Sequence, residues 1–233
     1  MKKEYKILFK FATRSRADKF FEGLDNIFEK VADKKNFCIL VSADADDIVM
    51  NNKETIERLK SYLVRFPENL IIKFGSSQNK IDAINRDVNE IKDRFNFDIL
   101  INFSDDMRFV VNGFDNIIRD KFHSIFPDTN GNIYFNDGFV GDAISTMSII
   151  GRMYYDRFNY IYHPSYKSLW CDNEYTDVAK RENKIQYYDE VLYKHFHPSN
   201  IGGFIDEQLR HTESFSNEDF ANYEKRKVNN FKD

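Results

Sequence analysis

"DILINFSDDM", residues 98–107, runs a nearly apolar segment straight into two adjacent aspartates, Asp105 and Asp106. A short continuous apolar run of this kind predicts a strand buried on both faces. Its charged end has two readings. Either the strand surfaces and its last residues meet water, or the paired carboxylates hold a divalent cation, which removes both their mutual repulsion and the cost of burying them.

The same grammar repeats upstream. "YKILFKF" (5–11), "FCILVSA" (37–43) and "NLIIKF" (69–74) are further short apolar runs. Between them, Phe20 to Val31, Ile56 to Phe66 and Ile81 to Phe95 carry apolar residues at helical spacing. Buried strands alternating with amphipathic helices predict an α/β fold with an open sheet flanked by helices. In such sheets ligands bind beyond the carboxyl ends of the strands. That gathers Thr13 to Arg16, Asp44 to Asp47, Ser76 to Lys80 and Ser104 to Asp106 into one region.

The second half is less regular. Residues 132–137 and 144–150 read as strands, 172–182 as a short helix opening at Asp172, and 184–198 as extended segments. Residues 204–231 read as one or two helices. With no linker or repeat in 233 residues, one domain is expected. Its parts are a regular first half, 1–106, a less regular second, 107–200, and a helical extension, 201–233.

Composition narrows the classes. Hydrophobic residues at 42% and charged residues at 31% describe a globular chain, and a net charge of −4 offers no basic footprint for nucleic acid. Two cysteines, Cys38 and Cys171, are far apart and fit a reducing compartment. No apolar run of about 18 residues predicts a transmembrane segment, and "MKKEYKILFKF" is too short in apolar length for a signal peptide, so a cytoplasmic protein is expected.

"TRSR" after the first strand, "VSADADD" closing the second, "NKIDAINRDV" and "SDDM" resemble, in order and spacing, glycosyltransferase family 2 and its GT-A-fold relatives. The likeness extends over roughly residues 5–200. It implies a metal-dependent enzyme, using Mn²⁺ or Mg²⁺, that moves a sugar from a nucleotide-sugar donor to a glycan or other hydroxyl acceptor, with a UDP-sugar the first expectation. Ser104-Asp105-Asp106 stands where the family has Asp-x-Asp, its first acid replaced by serine. The resemblance makes Asp106 the first metal ligand, with Asp105 a second metal or donor contact, and His195 or His197 of "KHFHP" a further ligand. Thr13, Arg16, Asp44, Asp46, Lys80 and Arg86 fall where the family contacts the donor.

In "LWCDNEY", Cys171-Asp172 replaces the family's Glu-Asp pair but keeps the aspartate, which implies Asp172 as general base and an inverting transfer. Glu174 is the next candidate base, and Trp170 offers a flat surface to the acceptor. A carboxylate at a helix start is also an ordinary N-cap, and a lone tryptophan an ordinary core residue. The rival readings are a sugar-nucleotidyltransferase, disfavoured because "KFATRSRADKF" has no glycine, and a non-catalytic binding protein.

Overall fold

The computed structural model describes residues 4–203 and 206–232. Four parallel strands make up one side of a seven-stranded sheet: β1 (Ile7–Thr13), β2 (Phe37–Asp44), β3 (Leu70–Gly75) and β4 (Ile99–Phe103), standing in the order β3-β2-β1-β4. Every residue of β2 and β4 is buried, so "ILINF" is a strand covered on both faces. On β1 the alternation of the pleat sends Ile7, Phe9 and Phe11 into one core and Leu8 into the other.

The first core is filled by helix α1 (Ala17–Lys30) through Phe20, Phe21, Leu24, Ile27 and Phe28, and by α2 (Lys53–Arg65) through Leu59 and Tyr62. The second is covered by α3 (Lys80–Asn85) and α4 (Val88–Ile91). The periodicity predicts one helix over 81–95, but the chain makes two short ones, broken at Asp87, which adopts φ +72.

Past β4 the chain forms β5 (Met107–Phe109), α5 (Phe114–Ile125), β6 (Asn132–Asn136), β7 (Ile149–Gly151), α6 (Arg152–Tyr155) and α7 (Cys171–Arg181). It ends with β8 (Ile185–Val191), β9 (Tyr193–His195), α8 (Pro198–Ile201), α9 (Glu207–Glu213) and α10 (Ser216–Val228). β7, β6 and β8 complete the sheet beside β4, with β7 running against both its neighbours. The sheet is therefore mixed. The strand expected over 144–150 shrinks to β7, and the extended run expected over 184–198 divides into β8, β9 and the start of α8. Of the helical stretch expected over 204–231, residues 204 and 205 lie outside the described residues.

β5 and β9 form a separate antiparallel pair that sets Met107 opposite His195. This register carries the "KHFHP" segment to the end of β4. Among the described residues, no helix is long and apolar enough to cross a membrane.

One charge lies inside the sheet. Lys10, in the middle of β1, is 0% exposed; its Nζ donates to Ser42 Oγ, which donates to Asp87 Oδ2 at 2.5 Å. Burial lowers the Lys10 pKa from 10.5 to about 7, outweighing the opposing pull of Asp87. Between those values the unfolded chain binds the proton that the folded chain releases, so Lys10 makes stability rise with pH, by at most about 1.4 kcal/mol per pH unit. Denaturant unfolding measured from about pH 7 to about pH 9 is expected to show this rise, and Lys10→Met to flatten it.

Candidate functional site

At the end of β2, Asp44 is buried and accepts hydrogen bonds from Ser77 Oγ at 2.6 Å and Arg14 Nη1 at 2.9 Å. Arg14 also grips the exposed Asp46 through Nη1 at 2.7 Å and Nη2 at 3.2 Å. That hydrogen bonding holds the Asp46 carboxyl below its usual range. Asp47 serves the backbone instead, accepting from the Ser15 and Val49 amides at 2.7 and 3.0 Å. The arginine that pairs with the acids after β2 is thus Arg14, a residue the sequence reading does not single out.

Arg16 is committed elsewhere. Its Nε and Nη2 meet Asp206 at 2.9 and 2.7 Å, and its Nη1 lies 3.3 Å from Asp105 Oδ1. Asp206 caps α9, so this guanidinium ties the turn after β1 to the C-terminal helices. Thr13 also departs from expectation: it is buried, with its hydroxyl directed at Met50 Sδ at 3.8 Å.

The two aspartates that close "SDDM" have opposite environments. Burial raises the Asp105 pKa, with Arg16 opposing. Burial also acts on Asp106, but hydrogen bonds from His195 and Ser104, with the charge of Lys80, outweigh it and hold that carboxyl well below the usual range. His195 Nε2 stands 3.4 Å from Asp106 Oδ2, and the His195 and His197 rings are 5.7 Å apart. Burial lowers the His197 pKa while Asp106 pulls it upward. An open cleft of about 510 Å³ borders Asp105 and Asp106, with Lys19, Arg108, Phe196 and Ile201 among its walls.

Asp137, which the sequence reading overlooks, lies behind His195. It is buried just past β6 and accepts from the Phe139 and Val140 amides and from Thr146 Oγ1, at 2.9, 2.7 and 3.0 Å. Its Oδ2 is 3.9 Å from His195 Nδ1, a buried nitrogen without a hydrogen-bond partner. A buried acid immediately after a strand, in "YFND", was the available signal.

Asp172 sits in the first turn of α7, one residue inside the helix, because Trp170 at φ +62 takes the cap position. Burial raises its pKa, while the charges of Lys80 and His195 and its own turn's N–H groups oppose this. Lys80, at the start of α3, therefore acts electrostatically on Asp106, Asp172 and His197 together. The structure brings these residues into one neighbourhood.

Glu174 and Trp170 do not join it. Both Glu174 oxygens are engaged: Arg226 Nε and Nη2 donate at 2.7 and 2.9 Å, and Tyr166 Oη at 2.8 Å. Trp170 packs its ring on Phe220 and Tyr223 of α10, at centroid separations of 4.7 and 5.5 Å. Asp219, also on α10, accepts from the amides of Lys167, Ser168 and Leu169 at 2.8–2.9 Å. The C-terminal helix is therefore a brace for the start of α7.

Among the described residues no three His, Cys, Asp or Glu side chains converge as a ready-made metal cage. The donor set nonetheless suits Mn²⁺ or Mg²⁺. Such hard cations use one or two carboxylates and fill the remaining positions with water and substrate phosphates. Asp106 with an imidazole nitrogen 3.4 Å away offers that partial shell.

No protein-family model matches the chain. No curated protein matches it by sequence. Among solved structures it is similar to the mannosyltransferase PcManGT from Pyrobaculum calidifontis in complex with GDP-Man and Mn²⁺, at TM-score 0.63 and 11% identity, over 91% of this chain and 60% of that one. It is also similar to S. aureus TarS 1–349, at TM-score 0.60 and 14% identity, over 84% of this chain and 62% of that one. The same protein in complex with UDP-GlcNAc gives TM-score 0.59 and 13% identity over 89% and 64%. The chain spans less than two thirds of each neighbour's length. At these identities the likeness shows the fold, which is of the GT-A type.

The brace makes a testable demand. Replacing Arg226 by Met leaves the Glu174 carboxylate buried without its cation, which costs about 3–5 kcal/mol. Arg226→Met is therefore expected to lower the melting temperature strongly, as read by circular dichroism, while retaining ligand binding in the fraction that remains folded.

Proposed function

We propose that this chain transfers a sugar from a nucleotide diphosphate donor to an acceptor hydroxyl, with a divalent cation and by single displacement with inversion. The observation that carries the reading is the convergence of Asp106, His195, Lys80 and Asp172 past the carboxyl end of β4, with the buried Asp44 at the same end of β2. One structural neighbour was solved with GDP-Man and Mn²⁺ and another with UDP-GlcNAc, which supports a nucleotide-sugar donor.

In this reading Asp44 and Ser77 recognise the nucleoside. Uracil and guanine each carry ring N–H groups that a carboxylate accepts, whereas adenine lacks one on the corresponding ring nitrogen. A UDP-sugar remains the first donor to test, with GDP-sugars second. Asp106, with His195 or His197, would hold Mn²⁺ or Mg²⁺, which supplies charge stabilisation for the leaving diphosphate. Lys80 adds a second positive charge beside the same carboxylate. Asp172 takes the proton from the attacking hydroxyl, and its raised pKa makes it a stronger base than an ordinary carboxylate.

The test is a thermal-shift panel of nucleoside diphosphates and nucleotide sugars with and without Mn²⁺, on wild type and Asp106→Ala. A ligand at a hundredfold excess over its dissociation constant stabilises the native state by about 2.7 kcal/mol. The expected result is a Mn²⁺-dependent shift with one base series, lost in Asp106→Ala; absence of a shift with every compound rejects the reading.

Asp172→Asn is expected to bind donor normally yet transfer sugar about 10²- to 10⁴-fold more slowly. In wild type, activity should fall as acid protonates Asp172, with the midpoint above the ordinary carboxylate value of 3.8. A pH–rate profile measured at saturating donor checks the latter.

A further inference from the structure

Arg86 lies in the sequence stretch expected to face the diphosphate, but its guanidinium is packed against the end of β2. The break between α3 and α4 explains this. Arg86 leaves the helix in an extended conformation, at φ −62 and ψ 158, and Asp87 then adopts φ +72. The turn sends the guanidinium back onto the sheet, between the ends of β2 and β3.

There it is held by one hydrogen bond and two ion pairs. Nη2 donates to the Ala43 carbonyl at 2.6 Å and lies 3.6 Å from Asp44 Oδ1. Nη1 is 3.7 Å from Asp87 Oδ2, while Nε is buried without a hydrogen-bond partner. The group lies so close to Gly75 that a Cβ built on that residue would stand 1.9 Å from Nη1. Its partner Asp87 is itself anchored through Ser42 to the buried Lys10. The Arg86 side chain is 13% exposed, against 38% for Arg14 on the other side of Asp44.

We infer that Arg86 is a positioning residue that sets Asp44 from behind for nucleoside recognition, and that it makes no contact with the donor's diphosphate. This rests on the reading of Asp44 as the nucleoside contact. The physical grounds are the fixed fork and the missing Cβ. A planar guanidinium can address the Ala43 carbonyl, Asp44 and Asp87 at once, which a single ammonium cannot. Gly75 leaves the space that this placement requires. Arg14, by contrast, bridges Asp44 and Asp46 and is the more exposed of the two arginines.

The discriminating experiment compares a bare nucleoside with its diphosphate. Isothermal titration of uridine and UDP, and of guanosine and GDP, would be run with Mn²⁺ on wild type, Arg86→Lys, Gly75→Ala, Asp44→Asn and the Asp44→Asn/Arg86→Lys double variant. Each would first be checked for a cooperative melt; Asp87→Asn, which loosens the same anchor, replaces any variant that fails to fold.

For the base series that binds, Arg86→Lys and Gly75→Ala are expected to weaken nucleoside and diphosphate by the same factor, about tenfold. Arg86→Lys should have no further effect once Asp44 is Asn, because coupled residues are non-additive. A purely architectural role would instead give additive losses and overturns the inference. So does a loss confined to the diphosphate, which would make Arg86 a phosphate contact, and so does wild-type affinity in both single variants. A wild type that binds neither nucleoside nor diphosphate overturns the donor-site reading together with this inference.

Discussion

Burial of β1, β2 and β4 on both faces is the constraint from which the rest follows. A strand covered by helices on each side has no place for charge along its length, so polar groups collect where it emerges. Asp44 ends β2, and Ser104 to Asp106 follow β4 directly. Lys10 is the exception inside the sheet, and it is held by a chain of partners through Ser42 to Asp87. That chain continues to Arg86, so this interior lysine is connected to the polar edge.

Once charges are gathered, their neighbours decide what each can do. Asp105 and Asp106 are adjacent in sequence and both largely covered, yet one becomes a weaker acid and the other a stronger one. The difference lies in the partners: His195 and Ser104 donate to Asp106, while the Arg16 contact with Asp105 at 3.3 Å does not outweigh its burial. Other acids are withdrawn from chemistry by the backbone or by cations. Asp47 and Asp219 accept main-chain amides, and Glu174 is clamped by Arg226. An acid-rich sequence thus resolves into a few carboxylates near the cleft and many structural ones.

The C-terminal helices have a part in this sorting that a tail of polar and aromatic residues does not announce. Helix α10 fixes the loop before α7 through Asp219 and packs Trp170 against Phe220 and Tyr223. The cap of α9 holds Arg16 through Asp206. Both contacts join residues far apart in the chain. The first holds the start of α7, and with it Asp172; the second ties the turn after β1 to α9.

Much of the fold was legible in the sequence, because burial on two faces writes a continuous apolar run and burial on one helical face writes a periodic one. "ILINF" and the α1 residues from Phe20 to Phe28 announce themselves in this way. The helix α5 was legible too, from Phe114, Ile118 and Phe122 at four-residue spacing, but went unread. The acids at the ends of β2 and β4 were likewise plain. What those acids face was decided only in three dimensions. The pairing of Arg14 with Asp44 and of Arg16 with Asp206, the engagement of Glu174, and the approach of His195 to Asp106 with Asp137 behind it depend on pairings across about 30 to 190 residues of chain. The register of β5 against β9 brings His195 to Asp106, and the packing of α10 on α7 brings Arg226 to Glu174. Local pattern records which groups avoid water; it carries no record of which distant group meets them.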